Sequence, residues 1–433
     1  MTSTASSMTT DMISRALVAG CLALLLGLPG LRAETLALTG ATVHPVSSDS
    51  IPEGIVLIRD GLIEAVGPDL DIPADAEIVD LHGLHLYPGF VHPATQLGLI
   101  EISSVAGTVD TAEMGSINAA IRVEVAVNHD SELLPTNVAG GILSAHVIPA
   151  GGLIRGTSAL MRTDGWSWED MLIDSPSGMH IAFPAGAVSD EDNEDLKLIE
   201  RTLDQARHYQ SAVTAAAEGR APRPPRNDQL EALAPLLAGD VPLMLSANGH
   251  EVIAAALDWA EAQEFGRIIL VANSDVQYLA ERLAADNIPV ILQNPYGMPV
   301  RRWEPYDRSF VAAATLHAAG VRFAIGDGGS GMNVANARNL PFQAGSSAAH
   351  GLPRDAALKS VTLWPAEILG VADRLGSIEP GKHATLFAAS GDPLEPMTQI
   401  RHVWIDGQPY DLTRDRSRRL FDRYRIRQQP VRP

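Results

Sequence analysis

Short apolar runs punctuated by turn residues occupy the first part of the chain after a long apolar leader. Thr35–Val43, Ile55–Arg59, Leu62–Val66, Glu77–Leu81 and Leu84–Tyr87 read as strands, and Asp60-Gly61 is a hairpin turn between two of them. From Pro88 the pattern changes. Strand-length apolar runs at Gly141–Ile148, Met179–Phe183, Leu243–Ser246, Ile268–Ala272, Pro289–Gln293 and Arg322–Gly326 alternate with helical patterns. The helices are expected over Glu191–Ala217, Glu251–Phe265, Val276–Asp286, Ser309–Ala319 and Asp355–Leu369. Strands apolar on both faces belong in a parallel sheet covered by helices. The expected class is therefore α/β, with a (β/α)8 barrel over 88–375. Strands return at Ala384–Ala388 and His402–Ile405, followed by an Asp406-Gly407 turn and a terminal helix near Ser417–Arg427. Segments 34–87 and 376–433 then form a small β-sandwich-like domain built from both chain ends. A doubly wound open sheet is the alternative, but no G-x-G-x-x-G follows the first strand.

The leader predicts an address. Ala16–Leu31 is an apolar run of 16 residues behind Arg15, shorter than the ~20 residues of a spanning helix. It ends in Leu31-Arg32-Ala33, a small-residue cleavage pattern, so 1–33 reads as a signal peptide and the product as periplasmic or secreted. Val18-Ala19-Gly20-Cys21 leaves lipidation of Cys21 as the lesser alternative. No later run approaches spanning length.

Charge and composition narrow the chemistry. With 32 Lys+Arg against 52 Asp+Glu, a net charge of -20 argues against a nucleic-acid partner. Arg220–Arg226 reads as a Pro/Arg linker, and the acidic Ser189–Asp195 as a solvated helix start. The tail beyond Asp411 is arginine-rich, with Leu420, Phe421 and Tyr424 on one side, and is expected to dock on the acidic body. A homodimer, or a heterodimer with an active relative, is compatible with such a tail. The single cysteine lies in the leader, which removes any disulfide framework or multi-cysteine metal site.

Three stretches carry a resemblance. They are Leu86-Tyr87-Pro88-Gly89-Phe90-Val91, Arg322-Phe323-Ala324-Ile325-Gly326-Asp327, and the segment from Gly351 to Phe387, GLPRDAALKSVTLWPAEILGVADRLGSIEPGKHATLF. Together they resemble the amidohydrolase superfamily, in its imidazolonepropionase-like branch. The resemblance covers the chain beyond the leader and implies a barrel flanked by a β-layer. It also implies hydrolysis of amide-like carbon–nitrogen bonds of a small molecule, with one or two divalent metals activating water. The implied ligands are H-x-H after strand one, a carboxylated lysine or glutamate at strand four, histidines at strands five and six, and an aspartate at strand eight.

This chain departs from that pattern. His92-Pro93-Ala94-Thr95-Gln96 stands where Asp-x-His-x-His is implied; Ala94 cannot ligate and Gln96 offers a neutral oxygen. Lys197, Lys359 and Lys382 are the only lysines, and none lies at strand four, which excludes the lysine-bridged two-metal site. Ser246 and Asn273 stand at strands five and six. Asp327 alone matches and is the candidate catalytic residue. A single divalent ion such as zinc could be held only by a rebuilt set from His92, His146, His180 and His250, each of which reads equally as a packing histidine. His250 lies at a helix start with Asn248 as its expected cap. Pro149–Ser158 reads as a glycine-rich loop in which Arg155 could pair with a carboxylate, with a tight structural turn as the alternative. Gln96, Arg155, Ser246 and Asn273 are the candidate substrate contacts. Neither Ser158 nor Ser246 has a visible paired base. The competing function is a non-catalytic, ligand-binding descendant of the same family.

Overall fold

In the computed structural model, which describes residues 35–190, 192–327 and 331–427, two eight-stranded sheets organise the chain. The expected signal peptide over 1–33, with Cys21, lies outside the described residues. The first sheet opens with β1 (Thr35–Val43), β2 (Ile51–Arg59), β3 (Leu62–Gly67), β4 (Glu77–Asp80) and β5 (His85–Pro88). The barrel follows as β6 (Phe90–Thr95), β7 (Ile142–Val147), β8 (Ile154–Arg162), β9 (Leu172–Ala182), β10 (Leu243–Ser246), β11 (Ile268–Ala272), β12 (Val290–Gln293) and β13 (Phe323–Gly326). The chain then returns to the first sheet with β14 (Leu386–Ala389), β15 (Ile400–Ile405) and β16 (Gln408–Pro409). Its order is β16-β15-β14-β5-β1-β2-β3, with β4 on β1, so both ends of the chain share one sheet.

The barrel runs in sequence order from β6 to β13 and departs from an all-parallel one at β8. That strand pairs antiparallel with both β7 and β9. The sequence reading of Pro149–Ser158 as one loop is thereby corrected: from Ile154 onward the segment is strand. Gly151 and Gly152 form the tight turn before it, with φ of 73° and 68°. Their space is taken by the chain itself, since a Cβ on Gly152 would lie 3.0 Å from the Gly115 and Ser116 carbonyl oxygens. Strand β9 also begins well before the expected Met179.

No strand ladder joins β6 to β13. The chain between two short helices, Arg354–Lys359 and Leu363–Ile368, runs along this seam. Ile325 N–H donates to the Ser360 carbonyl at 3.1 Å, and Val91 N–H to the Val361 carbonyl at 2.9 Å. This corrects the single helix expected over Asp355–Leu369. The helix breaks because its carbonyls are used to close the barrel, while Ser360 and Thr362 bond back to Ala357 and Leu358.

Packing follows the sequence pattern. In the helix Glu194–Ala217, Ile199, Leu203 and Ala206 recur at helical spacing and are buried. Asn193 caps that helix by accepting from Leu196 N–H, and Glu194 and Asp195 lie in its first turn, the solvated helix start expected of the acidic run. Tyr87 stacks on Phe387 and Phe90 meets it tilted, with centroids 5.6 and 5.0 Å away, and together they tie the end-built sheet to the barrel core.

The terminal helix Arg416–Arg427 docks differently from expectation. Asp415, ahead of it, accepts from the Thr136 hydroxyl, and Arg418 donates to the Ile400 carbonyl. Phe421 and Tyr424 are exposed, so arginine and cap contacts hold the helix while its apolar side faces solvent. Among the described residues no helix is long and apolar enough to cross a membrane.

One glycine couples the two lobes. A Cβ on Gly345, in the helix Leu340–Ala349, would lie 2.4 Å from the Leu394 carbonyl oxygen. Gly345→Ala is expected to destabilise the protein by about 1–3 kcal/mol through overpacking, read as a lower urea midpoint at unchanged slope. An unchanged midpoint contradicts this packing.

Candidate functional site

The barrel interior is divided. Met244, Ile269, Val271, Ile291 and Ala324, from β10 to β13, form an apolar cluster with Ala94 of β6. The opposite side is polar, because β6, β7 and β9 contribute His92, His146 and His180, all fully buried. Asp327, directly after β13, is also buried. Its Oδ2 lies 3.2 Å from His92 Nε2, in a close electrostatic contact that is not aligned as a hydrogen bond.

His146 is locked. Its Nδ1 donates to the Pro93 carbonyl at 2.6 Å, since a carbonyl can only accept. Its Nε2, 2.8 Å from Ser158 Oγ, is therefore the acceptor. Ser158 thus has the paired base that the sequence did not reveal. Both groups are fully buried, and burial, aided by His92 and opposed by the Pro93 carbonyl, lowers the His146 pKa to about 4. A base that weak activates a hydroxyl poorly at neutral pH. The His180 ring lies 6.2 Å from His146, centroid to centroid. Burial, His146 and Arg155 push His180 well below the usual histidine range. Both imidazoles are neutral at pH 7. Neither ring nitrogen of His180 has a hydrogen-bond partner, nor does the buried Nε of Arg155.

His250 does not join this group. It belongs to a charged clamp across the loops that follow β10, β11 and β12. Its Nδ1 accepts from Arg301 Nη2 at 3.2 Å, and its ring meets Tyr278 edge-on. Asp275 and Glu304, both buried, receive Arg301 at 3.3 and 2.6 Å. Arg308 reaches Glu304 at 3.2 Å and also pairs with Asp275. Burial would raise the Glu304 carboxyl, but hydrogen bonds from Arg301 and Val300 outweigh it and hold it below the usual range. Sequence reasoning passed over Asp275, Arg301, Glu304 and Arg308. The i, i+3 and i+4 spacing of Arg301, Glu304 and Arg308 was the available signal.

The other candidates divide as well. Gln96 is buried just past the end of β6, and Ser246 is half-buried at the end of β10. Asn273 is partly committed, because its Oδ1 caps the next turn by accepting from Asp275 N–H. Asn248 Oδ1 accepts from Asn273 N–H, and the helix beginning at His250 has no side-chain cap. The expected capping role of Asn248 is corrected accordingly: the asparagine links two loops instead.

With this geometry in view, likeness to known proteins decides the family. The sequence profile of the Amidohydrolase family matches residues 258–410, from the second half of the barrel into the returning sheet. A crystal structure of an amidohydrolase from Thermotoga maritima MSB8 superposes with a TM-score of 0.78 at 25% identity, over 87% of this chain and 99% of that one. The chain belongs to the amidohydrolase superfamily. An amidohydrolase of Hapsidospora irregularis, tasK, is 24% identical over 88% of this chain, which spans only 43% of that protein's length. An adenosine deaminase from Xanthomonas campestris, solved with bound zinc, shares the fold at 17% identity and a TM-score of 0.51, over 90% of this chain and 98% of that one.

The metal chemistry that the superfamily implies does not fit the residues of this chain. Ala94, at an implied ligand position, has no donor and packs into the apolar cluster. His146 has both ring nitrogens committed. Among the described residues no group of three or more His, Cys, Asp or Glu is arranged to hold a metal ion. The fold assembles His92, His146, His180 and Asp327, but as a packed polar side of the barrel and not as an open ligand set.

The buried histidines and the buried ion pairs each carry a prediction. Unfolded histidines titrate near pH ~6.5, so between there and about pH 4 the unfolded chain binds protons that folded His146 and His180 refuse. Their contribution is full above pH ~6.5 and is lost as pH falls, by about 3 kcal/mol for His146 near pH ~4. Urea unfolding at pH 7, 5.5 and 4.5 should show this slope, and His146→Gln should flatten it; an equal slope in the variant counts against it. In the clamp, Arg308→Met leaves Asp275 and Glu304 undercompensated and is expected to cost about 3–5 kcal/mol in the same assay.

Proposed function

We propose that the protein is an exported hydrolase acting on the carbon–nitrogen bond of a non-peptide amide or cyclic amide. The single observation carrying this reading is the His92–Asp327 contact at the carboxyl end of the barrel, the face where enzymes of this architecture work. The Asp327 carboxylate, 3.2 Å from His92 Nε2, would stabilise positive charge on the ring as the Nδ1 lone pair takes a proton from water whose oxygen attacks the carbonyl carbon. The imidazolium formed would return that proton to the departing nitrogen as the carbon–nitrogen bond breaks. General acid–base catalysis of this kind supplies about 10²–10⁴-fold.

A second reading, a non-catalytic ligand-binding descendant or partner subunit, is favoured by one observation: Ala94, Gln96 and Ser246 replace the implied donors. Hydrolysis of a panel of cyclic amides by chelator-treated protein separates the two. Turnover that survives the chelator and falls about 100-fold or more in Asp327→Asn and His92→Gln supports the hydrolase. Turnover that needs added zinc overturns the metal-free step, and no turnover alongside retained ligand binding overturns the hydrolase. Export predicts that the secreted or periplasmic protein begins at Glu34, which intact-mass measurement reads directly.

A further inference from the structure

Inside the barrel, two buried histidines and the half-buried Arg155 carry buried polar atoms that the described residues leave without hydrogen bonds. His180 is 1% exposed and neither of its ring nitrogens has a partner. The buried Nε of Arg155 has none, nor does His92 Nδ1. Each such atom costs about 1–3 kcal/mol, a cost native proteins retain mainly where a ligand or ordered solvent completes the site.

The backbone directs Arg155 to this place. Along the β8–β9 ladder Ile154 stands opposite Ile181 and Gly156 opposite His180, so Arg155 is the extra residue of a bulge beside His180. Bulges re-aim side chains. Gly156 adds no side chain there; its φ is +105°, and a Cβ would lie 2.6 Å from the Ile121 carbonyl oxygen. The Arg155 charge reaches His180, whose pKa it helps to lower behind burial and His146. In a chain with 52 acidic residues, no described carboxylate pairs with this guanidinium.

We infer that Arg155 and His180 form a recognition subsite for a single carboxylate on the ligand of this barrel. The guanidinium fork matches the two carboxylate oxygens, and the neutral His180 ring adds one N–H donor. Charge selects the class. Arg155 supplies one positive charge, and His146 and His180 supply none at neutral pH. A phosphate dianion would bring a negative charge that the single guanidinium leaves unmatched, and a neutral ligand would leave the guanidinium unpaired. The inference deepens the hydrolase reading and rests on it only for treating the ligand as a substrate; carboxylate binding is testable without turnover.

The experiment is thermal unfolding of the mature protein with N-acetylglycine, its neutral analogue N-acetylglycinamide, or inorganic phosphate. N-Acetylglycine at 100-fold its Kd is expected to raise the midpoint by roughly 5 °C, with no rise from the other two. Arg155→Met is expected to melt no lower than the parent without ligand and to lose the response, because a half-buried guanidinium with an unpartnered Nε is gone. Asp327→Asn is expected to lose hydrolysis and keep the response, which separates failure of the subsite from failure of the hydrolase reading. The inference is overturned if N-acetylglycine gives no rise, if the amide or phosphate matches it, or if Arg155→Met keeps the response. Should Arg155→Met fold poorly, Arg155→Lys keeps the charge without the fork; about a tenfold weaker Kd is expected, and an unchanged one overturns the inference.

Discussion

The fold depends on how its barrel is closed. Strands β6 and β13 meet along a seam where Ser360 and Val361 accept one hydrogen bond from each strand. Those two carbonyls are available because the helix that would have used them stops. Without this seam β6 and β13 would present unpaired backbone groups, an expensive arrangement in a buried sheet. The same closure sets β6 beside the end of β13, and so sets His92 against Asp327. The most sequence-specific segment of the chain therefore stands behind the candidate site without contributing a side chain to its chemistry.

The barrel interior can be understood as one exchange of materials. The superfamily implies imidazoles and carboxylates around an ion. Here Ala94 and its apolar neighbours fill one side, and neutral imidazoles held by burial line the other. His146 is consumed by Pro93 and Ser158, whereas His180 and Arg155 are left with unmet hydrogen-bonding capacity. This contrast separates structural from functional polarity better than residue type does. A satisfied buried pair rigidifies, and an unsatisfied one indicates that something else belongs beside it. Above the barrel, the Asp275–Arg308–Glu304–Arg301 clamp fixes the loops after β11 and β12 around the mouth.

Much of this was legible in the chain. Strands β10 and β11 lie where the apolar runs placed them, the Asp60-Gly61 hairpin is present, and both chain ends share a sheet. The superfamily could be read from the segment around Gly351–Phe387, the segment whose Ser360 and Val361 carbonyls close the barrel seam. Strand β8 was missed because glycines at 151, 152 and 156 read as a loop, although Ile154, Ser158 and Leu160 supply strand-like positions. The clamp was missed because its acids and arginines are separated by some thirty residues or lie in a loop without apolar periodicity.

The sequence by itself determined the α/β alternation, the position of Asp327, and the residue types at Ala94, Gln96 and Ser246, because each is a matter of residue type or of period along the chain. Only the tertiary structure decided which histidines work together. It joined His92 to Asp327, gave Ser158 to His146, sent His250 to the clamp, and left Arg155 beside an unpartnered His180. Those pairings depend on barrel closure, on the antiparallel β8 and on a one-residue bulge. Each brings together groups far apart in the chain, which no local pattern encodes.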